Sequence, residues 1–270
     1  MTLRAYRWEL RKLLSQKRTF LGLGAVVVIP LIFVTALVLS PPEGERSQFF
    51  FRYVTETGWA VPLILLVFSS IWFFPLVTAL VAGDIVAAED QNRTLKTILT
   101  RSTTRTSVFA AKVLAAFTYA LVALLLFGLT STVAGGLASG FDELPTFTTV
   151  ISPGRAAVLV AASFAVYAMP VLGIAAIGVL LSTISKNSAG AVVGTLMVSL
   201  TMQLTRIIPG LDGDGVQRLM LTRQLNAWQS LFRDPIDWSP IVHGAWVSVV
   251  YAAVALVIAW LHFVRRDVVA

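Results

Sequence analysis

Six apolar stretches, each long enough to cross a lipid bilayer, occupy most of the 270-residue chain. A transmembrane helix needs about 20 apolar residues, because each residue adds about 1.5 Å and the hydrocarbon core is about 30 Å thick. Windows of that length predict spans at residues 19–39, 60–82, 108–134, 156–181, 189–208 and 241–263. We therefore predict an all-α integral membrane protein in which residues 1–270 form a single domain.

The distribution of charge supports this class and predicts an orientation. Only 13% of the residues are charged, against about 25% in soluble domains. The net charge of +7 arises from Lys and Arg residues that flank the spans and form no single basic face, so no nucleic-acid partner is expected. Cytoplasmic segments retain Lys and Arg, and most of the 21 basic residues fall on one side if the N-terminus lies inside. Both termini are therefore predicted to be cytoplasmic.

Several residues and motifs that catalysis requires are missing from the sequence. It has no cysteine, and its two histidines, His243 and His262, fall near opposite ends of the last predicted span. It also has no G-x-x-x-x-G-K-[ST] phosphate loop, and no charged residue at the centre of a predicted span, where ion-coupled carriers and intramembrane hydrolases need one. We predict no catalytic, metal-binding or cofactor-binding residue in this chain, and an energy source outside it.

The segment before the first span has the pattern of an amphipathic helix. Apolar side chains recur there at helical spacing, at Leu3, Tyr6, Leu10, Leu13 and Leu14. Basic side chains fall largely elsewhere around that helix, where they can approach anionic lipid. The pattern predicts an interfacial helix, which either orients the first span on membrane lipid or contacts a partner.

The predicted cytoplasmic loop between the second and third spans has an apolar surface of its own. A short helix over 94–99 would place Leu95, Ile98 and Leu99 on one face, bordered by basic residues. Glu89 and Asp90 precede it, where carboxylates favour a helix N-terminus. Such a surface suits a groove on a soluble partner, although it could instead pack on the chain's own spans or on lipid.

The same loop resembles the coupling region of ABC-2 type transporter permeases. That family commonly shows E-x-x-x-G-T-L-x-x-L-L-x-x-P-x-x-R followed by a Lys. The residues of this sequence that match are Glu89, Thr94, Leu95, Ile98, Leu99, Arg105 and Lys112. The sequence departs from the pattern at Arg93, where Gly is common, and at Ser102, where Pro is common.

The resemblance implies a half-size permease with six spans and a short cytoplasmic coupling helix between the second and third spans. It implies that the matching loop residues contact a separate ATP-binding-cassette ATPase, in two copies, which binds ATP and Mg²⁺ itself. A second permease chain, identical or related, would complete an exporter in a bacterial plasma membrane. Two other classes remain open: a carrier or channel that works without an ATPase, and a membrane anchor for a soluble partner.

The fifth predicted span contains the best candidate lining for a substrate path. Polar side chains at Thr195, Ser199 and Gln203 share about one quadrant of a helix with Ser188 and Arg206. Alternatively, the hydroxyl groups bond to the backbone of their own helix one turn earlier.

An outer segment, residues 214–232, also has helical apolar periodicity. Its pattern predicts an amphipathic helix that rests on, or dips into, the outer leaflet. It would serve either as a connector or as a lid over a translocation route.

Overall fold

The computed structural model describes residues 2–39, 56–92, 104–146, 150–205 and 214–265, and these parts of the chain are mostly helical. In chain order the helices are α1 (Thr2–Leu14), α2 (Lys17–Leu39), α3 (Ala60–Ser69), α4 (Phe73–Ala82), α5 (Ala87–Gln91), α6 (Arg105–Ser139), α7 (Pro153–Ile184), α8 (Ser188–Leu204), α9 (Asp214–Arg218) and α10 (Ser239–Arg265). A 3-10 helix covers Leu221–Phe232, and strands β1 (Leu144–Pro145) and β2 (Val150–Ile151) pair antiparallel. The prediction of a purely α-helical fold therefore missed one short β-hairpin.

Four helices, α2, α6, α7 and α10, are long and apolar enough to cross a membrane. Helices α3 and α4 reach that length only as a pair, bent by 65° where they meet. Helix α8 has 17 residues, about 25 Å, and is shorter than a usual span. The multi-pass helical architecture is therefore confirmed, with four spans by length, or five if the bent pair is one span.

Local signals explain where α6 begins and ends and where α7 begins. The Thr104 hydroxyl accepts a hydrogen bond from the Ser107 N–H at the start of α6, and Gly140 follows its last turn with a φ of 72°. This left-handed conformation costs glycine little. Helix α7 starts with Pro153, whose fixed φ suits a first helical residue.

The bent pair α3–α4 runs along the whole length of α6. Pro75 provides no N–H for the carbonyl one turn before it, which accounts for the break. Ahead of α3, Gly58 lies so close to Gly135 of α6 that a Cβ atom would overlap that backbone. After α4, the carbonyl oxygen of Ile85 accepts a hydrogen bond of 3.3 Å from Lys112 of α6. The pair therefore ends near the opposite end of α6 from where it begins.

Helix α7 packs against α4, α6, α8, α10 and the 3-10 helix. Its Tyr167 ring meets Phe74 of α4 at 5.4 Å between centroids, and Phe74 meets Phe127 of α6 at 5.2 Å. Nearer the end of α4, Gly178 approaches Ala82 and Gly83 approaches Val192 of α8, each so closely that a Cβ atom would lie 2.9 Å away. Aromatic rings and glycines thus bring α4, α7 and α8 together.

The 3-10 helix Leu221–Phe232 is packed into the helix bundle, whereas Val216 and Leu219 before it are exposed. Leu221 and Leu225 of the 3-10 helix are fully buried, and Leu221 contacts α7 at Gly173, near the middle of that helix. Ala227 and Gln224 contact α10 at Gly244. The prediction that residues 214–232 form one amphipathic helix on the outer leaflet is therefore corrected, because the apolar face of the 3-10 helix packs on α7 and α10.

Candidate functional site

A buried cluster of charged side chains lies at one end of the helix bundle, near the first turns of α6. The Lys112 ammonium is fully buried; it donates to Glu9 Oε1 at 2.8 Å and to the Ile85 carbonyl at 3.3 Å, and it forms an ion pair with Glu89 Oε2 at 2.6 Å. Lys12, partly exposed, forms a second ion pair with Glu89. We call the end of the bundle that holds this cluster the charged end.

The cluster joins segments that are far apart in sequence. Glu9 and Lys12 belong to α1, Glu89 belongs to α5, and Lys112 belongs to α6. Two carboxylates and two ammonium groups balance, so the burial of each charge is compensated. Removing one partner from such a cluster leaves an uncompensated buried charge, which typically costs about 3–5 kcal/mol. The cluster therefore fixes α1 and α5 against α6.

The carboxyl group of Glu89 is held in its ionised form. Its burial raises the pKa, but the charges and hydrogen bonds of Lys112 and Lys12 outweigh that effect and lower the pKa below 4.5. Glu89 is therefore an anion at neutral pH. Its side chain is only 2% exposed, so it acts through its two lysine partners and not through a surface contact.

A second group of contacts joins α2, α7 and α8 at the same end. Arg18 forms an ion pair with Asp84, and the Ser188 hydroxyl donates to the same carboxylate. The Ser182 hydroxyl oxygen accepts hydrogen bonds of 3.0 Å from the N–H groups of Val86 and Ala87. These bonds satisfy the backbone between α4 and α5, which would otherwise be buried without partners.

The helices on either side of the predicted coupling loop are both tied to the bundle. On one side Glu89 is held by the lysines, and on the other Arg105 donates to the carbonyl of Val264 at the end of α10, at 2.8 Å. The other predicted coupling residues, Thr94, Leu95, Ile98 and Leu99, lie outside the described residues. The structure thus anchors Glu89 and Arg105 separately to the bundle, one on each side of that loop.

A polar cavity of about 480 Å³ opens beside the charged cluster. Its lining includes Lys12, Gln16, Arg18, Asp84, Gln91 and Asn92. The buried carboxylates lie behind the more exposed basic side chains. The cavity therefore presents amide and cationic groups together with the carboxylates of Asp84 and Glu89 at the base of the loop.

The predicted path residues on α8 face the interior of this chain. Thr195 donates its hydroxyl to the carbonyl of Ala191 at 2.8 Å, and Ser199 donates to the carbonyl of Thr195 at 3.0 Å. Both side chains are buried. Within the described residues, the Gln203 side-chain oxygen has no hydrogen-bond partner. In this conformation the two hydroxyl groups bond to their own helix, as the alternative interpretation of the sequence expects.

Sequence reasoning missed the buried charge cluster. Lys112 lies four residues inside the third predicted span, where a charged residue is expensive and needs a partner. The position of Lys112 could therefore have predicted a buried ion pair. Its partners could not have been predicted, because Glu9 and Glu89 are 103 and 23 positions away in sequence and only the fold brings them to Lys112.

The chain matches a protein-family model described as "Protein of unknown function (DUF2705)" over residues 26–269. It therefore belongs to this family. The match covers every element from most of α2 to the end of α10. No curated protein matches the chain.

Proposed function

We propose that this protein is the permease subunit of an ATP-binding-cassette exporter of the ABC-2 type. In this proposal a separate ATPase contacts the loop 93–103 and drives rearrangement of the membrane helices. The observation that supports it most is the anchoring of the helices on both sides of that loop, through Glu89 on one side and Arg105 on the other. A loop held in this way can pass a displacement to several helices at once.

The described contacts suggest a route for that displacement. Leu95, Ile98 and Leu99 would form the apolar contact with the ATPase, with Thr94 at the start of the short helix. Glu89 acts as a positioning residue, because its ion pairs carry a movement of α5 to α1 and α6. Arg105 carries the movement to α10 through the Val264 carbonyl. Buried ion pairs resist separation, since their charges have no water to replace a lost partner.

Six spans are part of the same proposal. The bent pair α3–α4 would be the second span, because its ends lie near opposite ends of α6. Helix α8 would be the fifth, starting at Ser188 at the charged end. Six crossings place both termini on the cytoplasmic side of a bacterial plasma membrane, with the charged end inside.

The complete exporter would contain two permease chains and two ATPase subunits. ATP and Mg²⁺ would bind to the ATPases, since the permease sequence has no phosphate loop. In the present conformation Thr195 and Ser199, which would line the candidate path with Gln203, are buried. Transport along it would require α8 to separate from α4 and α7, against which it packs.

A double substitution tests the coupling assignment. We expect Leu95→Asp with Leu99→Asp to abolish co-purification of a co-expressed cassette ATPase that binds the native chain, because two carboxylates cannot enter an apolar groove. Val150→Asp, an acidic change on an exposed residue of β2, provides the control and should leave association intact. Unchanged association in the double variant, or solute transport in liposomes by the purified chain alone, would contradict the proposal.

A further inference from the structure

The break between α3 and α4 lies deep within the apolar layer of helices. The ring of Phe73, the first residue of α4, meets Phe127 of α6 with 5.7 Å between centroids. Along α6, Phe127 is about 22 Å from Lys112 at the charged end and about 12 Å from Gly135 at the other end. The break is therefore well inside the layer that hydrocarbon would surround in a membrane.

The backbone at this break is not hydrogen-bonded as in a continuous helix. Among the described residues, the Ile71 N–H donates to the Phe68 carbonyl, and the helical bonds from Trp72 to Phe68 and from Phe74 to Ser70 are not formed. The Ile71 carbonyl cannot be satisfied by the next turn, because Pro75 has no N–H. Trp72 precedes α4 in a non-helical conformation, with φ −145° and ψ −23°, and its side chain makes no capping bond.

The break also lies on the outside of the chain. Trp72 is 55% exposed, Ile71 is 44% exposed and Phe68 is 45% exposed, whereas Phe73 and Phe74 are buried. The exposed side thus combines aromatic and aliphatic side chains with the interrupted backbone of Ile71 and Trp72, whereas Ser70 is buried. A continuous lipid-facing helix has no such backbone groups, because all of them are bonded within the helix.

We infer that this break forms part of the wall of a water-filled route through the membrane. Irregular backbone at membrane depth persists only where protein covers it or where it lines an aqueous cavity. Water can satisfy both donors and acceptors within a few ångströms, whereas the apolar face of another membrane helix offers them no partner. This inference rests on the chain being a permease and is independent of its ATPase partner.

The chemistry of this wall favours one class of solute. Trp72, Phe68 and Ile71 offer apolar and aromatic contact area, and the adjacent N–H and carbonyl groups can bind a polar substituent. An amphipathic solute, with an apolar body and a few hydrogen-bonding groups, fits such a surface. A strongly hydrated ion does not, because no described side chain at the break carries a charge.

Single-cysteine accessibility tests this inference directly, since the chain contains no native cysteine. The full chain with Trp72→Cys is reconstituted in liposomes and treated with a charged, membrane-impermeant methanethiosulfonate. We expect labelling at least about tenfold faster than for Leu125→Cys, because the reactive thiolate forms in water and not in hydrocarbon. Leu125 is a matched control, since it is 61% exposed and lies half a turn from Phe127 on an unbroken helix.

Ile71→Cys provides a second site if Trp72→Cys fails to fold. Equal labelling of both break variants and Leu125→Cys would overturn the inference. So would disulfide cross-linking of two chains at position 72 without labelling, which would assign the break to an interface between copies. Suppose that Trp72→Cys is labelled fast and that the ATPase still binds the variant with Leu95→Asp and Leu99→Asp. This inference would then stand, and the proposed coupling would be refuted.

Discussion

The charged end and the α3–α4 break are both polar regions in an apolar protein, but they differ in how their polar groups are satisfied. At the charged end, the ammonium of Lys112 donates to Glu9 and to the Ile85 carbonyl and forms an ion pair with Glu89, and the buried charges balance. At the break, the Ile71 carbonyl lacks a donor from the next turn, because Pro75 has no N–H. A charge-balanced network fixes elements to one another, whereas interrupted backbone within hydrocarbon calls for water. The comparison therefore supports the proposals that the first region transmits force and that the second contacts solute.

The largest expected effect is at Lys112. Lys112→Met would leave Glu9 and Glu89 buried beside each other without their shared cation, and we expect a loss of about 3–5 kcal/mol in unfolding free energy. Thermal unfolding in detergent provides the measurement. The triple variant that adds Glu9→Gln and Glu89→Gln should recover most of the loss, because it buries no net charge. A loss below about 1 kcal/mol in Lys112→Met would contradict the structural role of the cluster.

The next largest effect is expected where the bent pair begins. Gly58→Ala would force a methyl group into the backbone of Gly135 and Gly136, and overpacking of this kind costs about 1–3 kcal/mol. Gly24→Ala in α2 is the control, since nothing lies within 4 Å of its new Cβ atom. If the two substitutions have equal effects on the unfolding midpoint, α3 is not held against α6 as described.

A smaller effect should follow from acidification. Because the pKa of Glu89 is lower in the folded protein than its usual 4.5, its contribution to stability is complete above about pH 5 and is lost as the pH falls through the folded value. The unfolding midpoints of the native protein and of Glu89→Gln, measured from pH 7 to pH 3, should therefore converge only below about pH 5. A constant difference across that range would exclude Glu89 as an ionised member of the cluster.

The smallest effect is expected from Pro75→Ala. It would restore an N–H donor for the Ile71 carbonyl and remove one of the unsatisfied groups at the break. We expect the labelling rate of Ile71→Cys to fall by a few-fold in this background, with little change in unfolding temperature. Labelling that is independent of residue 75 would show that the backbone groups do not attract the water.

The sequence predicted the long helices well, because apolar runs of 20 or more residues have few other stable solutions. The ends of α6 were also predictable, since Thr104 and Gly140 have clear capping roles. The break in the second predicted span could not be predicted, although the sequence shows Pro75 there. A proline bends some membrane helices and not others: α2 continues through Pro30, and α7 continues through Pro170.

The candidate site was predicted less completely than the fold. The loop pattern singled out Glu89 and Arg105, but their partners Lys112, Lys12 and Val264 depend on contacts between distant segments. The hydroxyl groups of Thr195 and Ser199 illustrate the opposite problem. A polar stripe on a membrane helix can line a path or bond to its own backbone, and periodicity alone does not distinguish these outcomes.

The most direct test of the account concerns the side of the membrane that the charged end faces. Asn92, exposed at the base of the predicted coupling loop, is replaced by cysteine and treated in intact bacteria with a membrane-impermeant thiol reagent. We predict that Asn92→Cys is labelled only after the cells are opened, because the ATPase must reach this loop from the cytoplasm. Labelling of Asn92→Cys in intact cells would place the loop outside and contradict the proposed coupling.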